Sequence, residues 1–438
     1  MKKRCSLSFA IAGVLILVLA IAGPLGVQAQ LDTSPTGIWT WHDLDAIRED
    51  LGGSYVLMND LDLGSDGYAE LAGPDANEGD GWEPIGAYGT PFAGMFDGQG
   101  YQIQNLYINR PDETYVGLFG KVAAEGVIAN VGVVDAEVTG AFELGGLVGW
   151  NDGTVSNSYS TGRVAANGPW AVGGLVGRND GIVSNSYSTA SVTGQNDVGG
   201  LVGAIEGSIN NCYASGSVTG NSRIGGLLGL NRGGTVINSY AGGDVTGVEC
   251  VGGLVGCDEE GDVANSFWDV EISGTDQSAG GTGKTTPEMK DITTFTDTGT
   301  EGLDQPWDIV LIQDYFDETW YIDDGSDYPR LGWQLTTAPP GDGIEAILDF
   351  FDEAVAAKTL SGNGPGRSAE GRLDALRNML LAAADLIEGG NIGDACQQLE
   401  DAYLRTDGHP RPPDFVTGPA AEGLAFMILD LMSDLGCQ

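Results

Sequence analysis

Histidine is almost missing from this chain of 438 residues, which has only His42 and His409. No helical His-Glu-x-x-His zinc site is possible, and no Ser/His/Asp set suggests itself. Basic residues are also scarce. Nineteen Lys and Arg stand against 62 Asp and Glu, for a formal net charge of −43. Such a surface repels nucleic acid and anionic lipid, so neither is an expected partner. It suits a salty or calcium-containing medium that screens the self-repulsion. Cysteine is sparse, and no Cys-x-x-Cys spacing marks a metal site. Beyond the N-terminus no apolar run is long enough to span a membrane, so no span is expected in the mature chain.

Residues 1–29 read as a signal peptide: basic Lys2, Lys3 and Arg4, an apolar core from Phe9 to Ile21, and small residues at Val27-Gln28-Ala29. A retained anchor is the alternative, disfavoured by the shortness of the run. Residues 1–29 carry three positive charges and no acid, so their removal takes −43 to −46. The remaining cysteines are Cys212, Cys250, Cys257, Cys396 and Cys437, an odd set that leaves one thiol unpaired or bridged to another chain.

What is abundant is glycine, 71 residues, and it recurs in a repeat. Gly-Gly-Leu-Val-Gly stands at 145–149, 173–177, 199–203 and 252–256, with Gly-Gly-Leu-Leu-Gly at 225–229. Each copy is followed by Asn-Ser-Tyr or a close variant, at Asn157, Asn185, Asn211, Asn238 and Asn265. Asn105 and Asn130 extend that series, and Gly94-Met95-Phe96 and Gly117-Leu118-Phe119-Gly120 extend the glycine series, giving about seven coils. A unit of 26–28 residues is too short for a propeller blade and lacks leucine-rich-repeat spacing. Three short β segments per unit predict a triangular parallel β-solenoid, with coils about 4.8 Å apart. In the second segment Val183, Asn185 and Tyr187 are expected inside, the Asn amides forming a ladder from coil to coil. Cys250 and Cys257 flank one glycine phrase. As a straight strand it would hold them roughly 20 Å apart, too far for a bridge.

The fold class is therefore mostly β: a parallel β-solenoid (β-helix) of about seven three-strand coils with an N-terminal helical cap, plus a C-terminal four-helix bundle. Residues 30–84 form the N-terminal cap, where Trp41, Leu44, Ile47 and Leu51 recur at helical spacing. The solenoid spans 85–270, a closing segment 271–335, and a linker 336–343. Residues 344–438 show four amphipathic stripes. Cys396 and Cys437 both fall beside apolar stripes there, and a disulfide between them is expected.

Candidate chemistry is thin. Ser278 to Thr285 nearly spells a phosphate loop, but Ser278 replaces its first Gly and Pro287 follows. Asp60, Asp62 and Asp66, and Asp323 to Asp327, resemble calcium loops without the EF-hand ligand order, so calcium is possible and no other cofactor is implied. No catalytic residue is assigned. Arg163, Arg178, Arg223 and Arg232 look too scattered to serve a lyase.

The phrase Val-Gly-Gly-Leu-Val-Gly followed by Asn-Ser-Tyr resembles the GLUG motif of bacterial and archaeal surface proteins, over about residues 85–270. Trp82 to Gly86, Phe96-Asp97-Gly98, Phe267-Trp268-Asp269 and Gly281 to Thr286 resemble the flanks of such repeats. These repeats also occur in IgA-cleaving metallopeptidases, but the zinc-binding His pair of that activity is absent. Phe350-Phe351-Asp352, Gly362-Asn363-Gly364 and Leu373 to Arg377 are similar to FIMAH-type helical domains. The resemblance implies a secreted or cell-surface, adhesin-like, non-catalytic protein whose solenoid contacts an extracellular glycan or protein. A polysaccharide lyase or glycoside hydrolase on a β-helix, or an envelope spacer, are the alternatives.

Overall fold

The computed structural model describes residues 35–312, 318–336, 340–356, 358, 360–363, 367–406, 415–417, 421–435 and 437. The signal-peptide reading of 1–29 and His409 lie outside them.

Glycine decides the shape. Each Gly-Gly-Leu-Val-Gly phrase, expected as one strand, is two strands joined by a corner. A Cβ on Gly173 would lie 2.0 Å from the carbonyl oxygen of Val176, so only glycine fits the corner. A Cβ on Gly177 would lie 2.5 Å from the backbone of Glu143 in the preceding turn, so the strands on either side run at backbone contact. We call this pair of facing strands the arch.

The first arch sheet stacks Thr114–Val116, Phe142–Leu144, Val172–Gly173, Asn196–Gly199, Ser222–Gly225 and Glu249–Gly252 in parallel. The second stacks Phe119–Val122, Val148–Asn151, Val176–Asn179, Val202–Ile205, Leu228–Asn231 and Val255–Asp258. These define about six turns, numbered here 1 to 6 from Thr114. A nine-stranded floor sheet runs beneath them from Thr36–Ile38 to Asp262–Ala264, and a twelve-stranded flank sheet completes each turn. The middle Leu of the phrase, Leu147, Leu175, Leu201, Leu227 and Leu254, is fully buried in turn after turn. That ladder, with Val155, Val183, Ile209 and Val236 from the floor, is the core.

Two phase assignments change. Met95–Asp97 pairs with Val127–Ala129 in the floor sheet, so Gly94-Met95-Phe96 is in register with the second segment of a turn and not with the glycine phrase. Gln102 pairs with Gly132 and Gln104 with Val134, which sets Asn105 opposite Asp135. Asn105 therefore stands outside the column of the other six. The spacing misled because residues 85–112 form no arch of their own.

The N-terminal helix, Trp41–Ala46, is closed by a capping box between Thr40 and Asp43. It lies between the first two floor strands and not ahead of them. At the C-terminal end Pro340–Ala356, Arg367–Glu388, Ile392–Tyr403 and Ala421–Asp434 are four helices. The first begins inside the expected 336–343 linker. Ile344, Ile347, Phe351, Leu376, Leu380, Leu399, Leu424 and Ile428 make their core. Cys396 and Cys437 are bonded there, with Cα atoms 5.4 Å apart.

Candidate functional site

Asn130, Asn157, Asn185, Asn211, Asn238 and Asn265 recur at one corner of successive turns, each left-handed with φ between +46° and +54°. That conformation, which Asn tolerates, breaks the period-two alternation. Val183 faces in, but after Asn185 it is Ser186 and Ser188 that are buried, while Asn185 and Tyr187 turn outward. The interior placement of Asn185 and Tyr187 is thus reversed. Asn157 donates to the Oδ1 of Asn130 at 3.0 Å and Asn211 to that of Asn185 at 3.2 Å, at the surface corner. A buried Asn ladder does exist, one corner earlier. Asn151, fully buried, donates to the Oδ1 of Asn179 at 2.7 Å, and its own oxygen accepts from the N–H of Gly153 at 3.1 Å. The sequence signal was the Asn-Asp-Gly turn after the glycine phrase.

The outward tyrosines form a stack. Tyr159, Tyr187, Tyr213 and Tyr240 follow one another with ring centroids 4.8, 4.8 and 5.0 Å apart. The segment expected to close the end of the solenoid instead lies along this stack as a strap. Three indole N–H groups fix it: Trp307 to the backbone oxygen of Asn265 at 2.9 Å, Trp320 to Oδ1 of Asn211 at 3.5 Å, and Trp333 to the backbone oxygen of Asn185 at 2.8 Å. This tyrosine row is already covered, so it is no site.

The calcium candidates are committed to the fold. Asp62 caps its own turn through the N–H groups of Gly64 and Ser65, Asp324 accepts from Ile292, and Asp327 pairs with Arg330. Among the described residues no three His, Cys, Asp or Glu side chains gather as a metal cluster. Lys284, of the near phosphate loop, is buried and donates to the carbonyl of Glu301 at 3.0 Å. His42 lies 3.3 Å from Glu70 on the surface.

The variable residues of the arch make the most developed site. One position per turn precedes the glycine phrase: Tyr115, Glu143, Ala171, Asp197, Arg223 and Cys250, all left-handed with φ between +47° and +63°. Facing them across the arch are Lys121, Trp150, Arg178, Ala204, Leu230 and Cys257. Backbone strain that recurs at one column of non-glycine residues is where function is to be sought. In turn 6 the two facing residues are bonded, Cys250 to Cys257, with Cα atoms 5.6 Å apart. The estimate of roughly 20 Å fails because the corner at Gly252-Gly253 folds the strand back.

In turns 1 to 3 the column is aromatic and cationic. Trp150 lies between the ammonium of Lys121, 3.5 Å from its centroid, and the guanidinium of Arg178, 4.4 Å away. Tyr115 and Tyr88 pack on the same indole at 5.6 and 6.1 Å, and Tyr88 is 65% exposed. Lys121 is paired with Asp152 at 2.8 Å, and Arg178 with Asp180 at 2.9 Å and Glu206 at 3.0 Å.

In turns 3 and 4 one residue of each facing pair shrinks to alanine, Ala171 opposite Arg178 and Ala204 opposite Asp197, and a cavity of about 210 Å³ opens, lined by Glu143, Trp170, Arg178, Asp197 and Arg232 besides the two alanines. Trp170 is 42% exposed, with the Arg223 guanidinium 4.9 Å from its ring. Burial raises the pKa of Glu143, against the opposing pull of Arg178 and Lys121. Burial likewise raises that of Asp197, although Arg223 binds its carboxylate. Arg178, Arg223 and Arg232, which look scattered in sequence, thus converge here. Arg163 lies elsewhere, on an outward strand of the flank sheet.

Residues 140–165, 168–193, 194–219 and 220–246 match the family described as the GLUG motif. These are four repeats of GLUG type. The match is narrower than the 85–270 expected from the residues. The chain is also similar to a protein described as a Gly-rich membrane protein from Evansella cellulosilytica, at 38% identity over 129 residues. It is 39% identical over 135 residues to halomucin from Haloquadratum walsbyi. These stretches cover 28% and 30% of this chain but only 14% and 1% of the two relatives. The cavity and the aromatic column lie within or beside the matched repeats. No helix among the described residues is long and apolar enough to cross a membrane.

Proposed function

We propose that this is a secreted, adhesin-like, non-catalytic protein of the cell surface, whose solenoid binds an extracellular glycan along the arch column. A GLUG-repeat β-solenoid with relatives named as a membrane protein and a halomucin fits a cell-surface protein. One observation carries the glycan reading: Trp170, exposed beside a cavity whose other walls are ionic groups. An aromatic face offers area to the C–H side of a sugar ring. Carboxylates and guanidiniums held by one another offer acceptors and donors to its hydroxyls. The tyrosine row of the flank is closed off by the strap.

Glycoside hydrolysis is the second reading, because Glu143 and Asp197 bring two carboxylates to one cavity. Asp197 is 2% exposed and held by Arg223, so it is poorly placed to meet a glycosidic oxygen or to activate water. The test is a glycan array with the purified protein and its Trp170→Ala variant. Binding that Trp170→Ala weakens at least tenfold supports the proposal. Release of reducing ends from any bound glycan would replace it with the hydrolase.

A further inference from the structure

We infer that the cavity in turns 3 and 4 receives the acetamido group of an N-acetylated amino sugar. The inference rests on the glycan-binding reading and names the ligand class of that site. An acetamido group carries a methyl, an N–H donor and a carbonyl acceptor, and the cavity answers each. Its apolar floor is Ala171 and Ala204, 4% and 6% exposed. Ala171 faces Arg178 in turn 3 and Ala204 faces Asp197 in turn 4; the next residues along the two columns are Glu143 and Asp197, and Arg178 and Leu230, so the depression exists only where these two alanines from adjacent turns meet. Around the floor stand two acceptors, Glu143 and Asp197, and two donors, Arg178 and Arg232.

Prior commitments narrow the roles. Asp197 holds Arg223, and Arg178 holds Asp180 and Glu206. Glu143 is half-buried and Arg232 exposed, and neither has a side-chain hydrogen bond or ion pair among the described residues. The Glu143 carboxylate is thus free to accept the amide N–H, and the Arg232 guanidinium to donate to the amide oxygen. Trp170 is left for the pyranose ring. Competing sugars fit less well. A uronate carboxylate can only accept, and it would meet Glu143 and Asp197 at close range. A plain hexose leaves the alanine floor empty and Glu143 with weaker partners. About 210 Å³ is small beside the ~300–1,000 Å³ of drug-sized sites, which suits one sugar unit and not an enclosed oligosaccharide.

The test is calorimetric titration of the full chain with four probes: chitotriose, cellotriose, trigalacturonate and the N-acetylglucosamine–N-acetylmuramic acid disaccharide. Chitotriose is expected to bind at least tenfold tighter than cellotriose or trigalacturonate. Ala204→Leu, which fills the floor, should abolish that preference at an unchanged melting temperature. Arg232→Ala on the exposed rim should weaken chitotriose several-fold, and it keeps the test open if Ala204→Leu does not fold. Disaccharide binding equal to chitotriose supports the assignment with a bacterial wall as source, and tighter chitotriose supports it with a chitin-like source. Equal affinity for cellotriose and chitotriose overturns the acetamido assignment while leaving the arch column a glycan binder. Failure of both N-acetylated probes to bind also overturns it, and the glycan array with Trp170→Ala then decides the broader reading independently.

Discussion

The indole of Trp333 donates to the backbone oxygen of Asn185 at 2.8 Å, across 148 residues of sequence. The bond is possible because Asn185 is left-handed and turns its corner outward. Trp320 and Trp307 repeat the relationship further along, so the strap is held in register by indoles against the asparagine corners. Trp320 is fully buried between the strap and the stack. Trp320→Ala should cost about 3–5 kcal/mol, as for other buried large-to-small changes. Urea denaturation followed by tryptophan fluorescence measures it, and a loss below about 1 kcal/mol would contradict the strap packing described.

The stacked tyrosines set an alkaline limit. Burial raises the pKa of Tyr187, Tyr213 and Tyr240 above the ordinary phenol value, and that of Tyr159 to about 12. In the unfolded chain these groups titrate near 10. A raised folded-state pKa favours the neutral phenol, so this stability is complete below about pH 10 and is lost as pH rises through the folded values. Phenolate absorbance should therefore rise in two stages, exposed tyrosines first, and the second should coincide with loss of circular dichroism. A single smooth titration of all tyrosines near pH 10 would count against the stack.

Cys212 occupies the place that Ser158, Ser186, Ser239 and Ser266 hold in other turns, and it is fully buried. Its N–H donates to the Oγ of Ser239 at 3.1 Å. Burial pushes its thiol up to about 12. In the native protein at pH 8 it should resist thiol reagents, and after denaturation without reductant it should be the one cysteine beyond residue 29 that labels. Cys212→Ser should change stability by less than about 1 kcal/mol, since serine serves the same position elsewhere. Rapid native labelling would show that the turn is open.

The two asparagine columns should respond differently. Asn179 is fully buried and donates to the carbonyls of Gly181 and Ser208 at 3.2 and 3.1 Å. Asn179→Ala strands those groups and should cost about 1–3 kcal/mol. Asn157 sits at a half-buried corner beyond the strap's three tryptophan bonds, so Asn157→Gly, which keeps the left-handed turn, should cost less than about 1 kcal/mol. Paired thermal melts compare them, and a larger loss at Asn157 would reverse the assignment of ladder and corner.

Much of the solenoid was legible because its period is written in glycine and leucine. The spacing of Gly173 and Leu175 fixes where the chain must corner and which residue points in. What escaped was conformational sign. Nothing in the run from Val183 to Tyr187 announces that Asn185 is left-handed, and one such residue reverses the faces that follow. The same blindness hid the arch. With the phrase taken as straight, Cys250 and Cys257 seemed remote, and Arg178, Arg223 and Arg232 seemed scattered. The strap was invisible for another reason: its partner tyrosines lie on other turns, and no local pattern records a contact of such range. The cavity depends on two alanines, whose meaning appears only beside the larger residues above and below them.

The strap's direction has a mechanical consequence. It leaves turn 6 at Trp307 and returns to turn 3 at Trp333, so the helical region beginning at Pro340 is reached from the side of the rod. Tension applied through that region would load Trp333 first, then Trp320, then Trp307. The bonds would peel in sequence like a zipper instead of shearing together, uncovering Tyr159 and Tyr187 first, then Tyr213 and Tyr240, and Phe267 last.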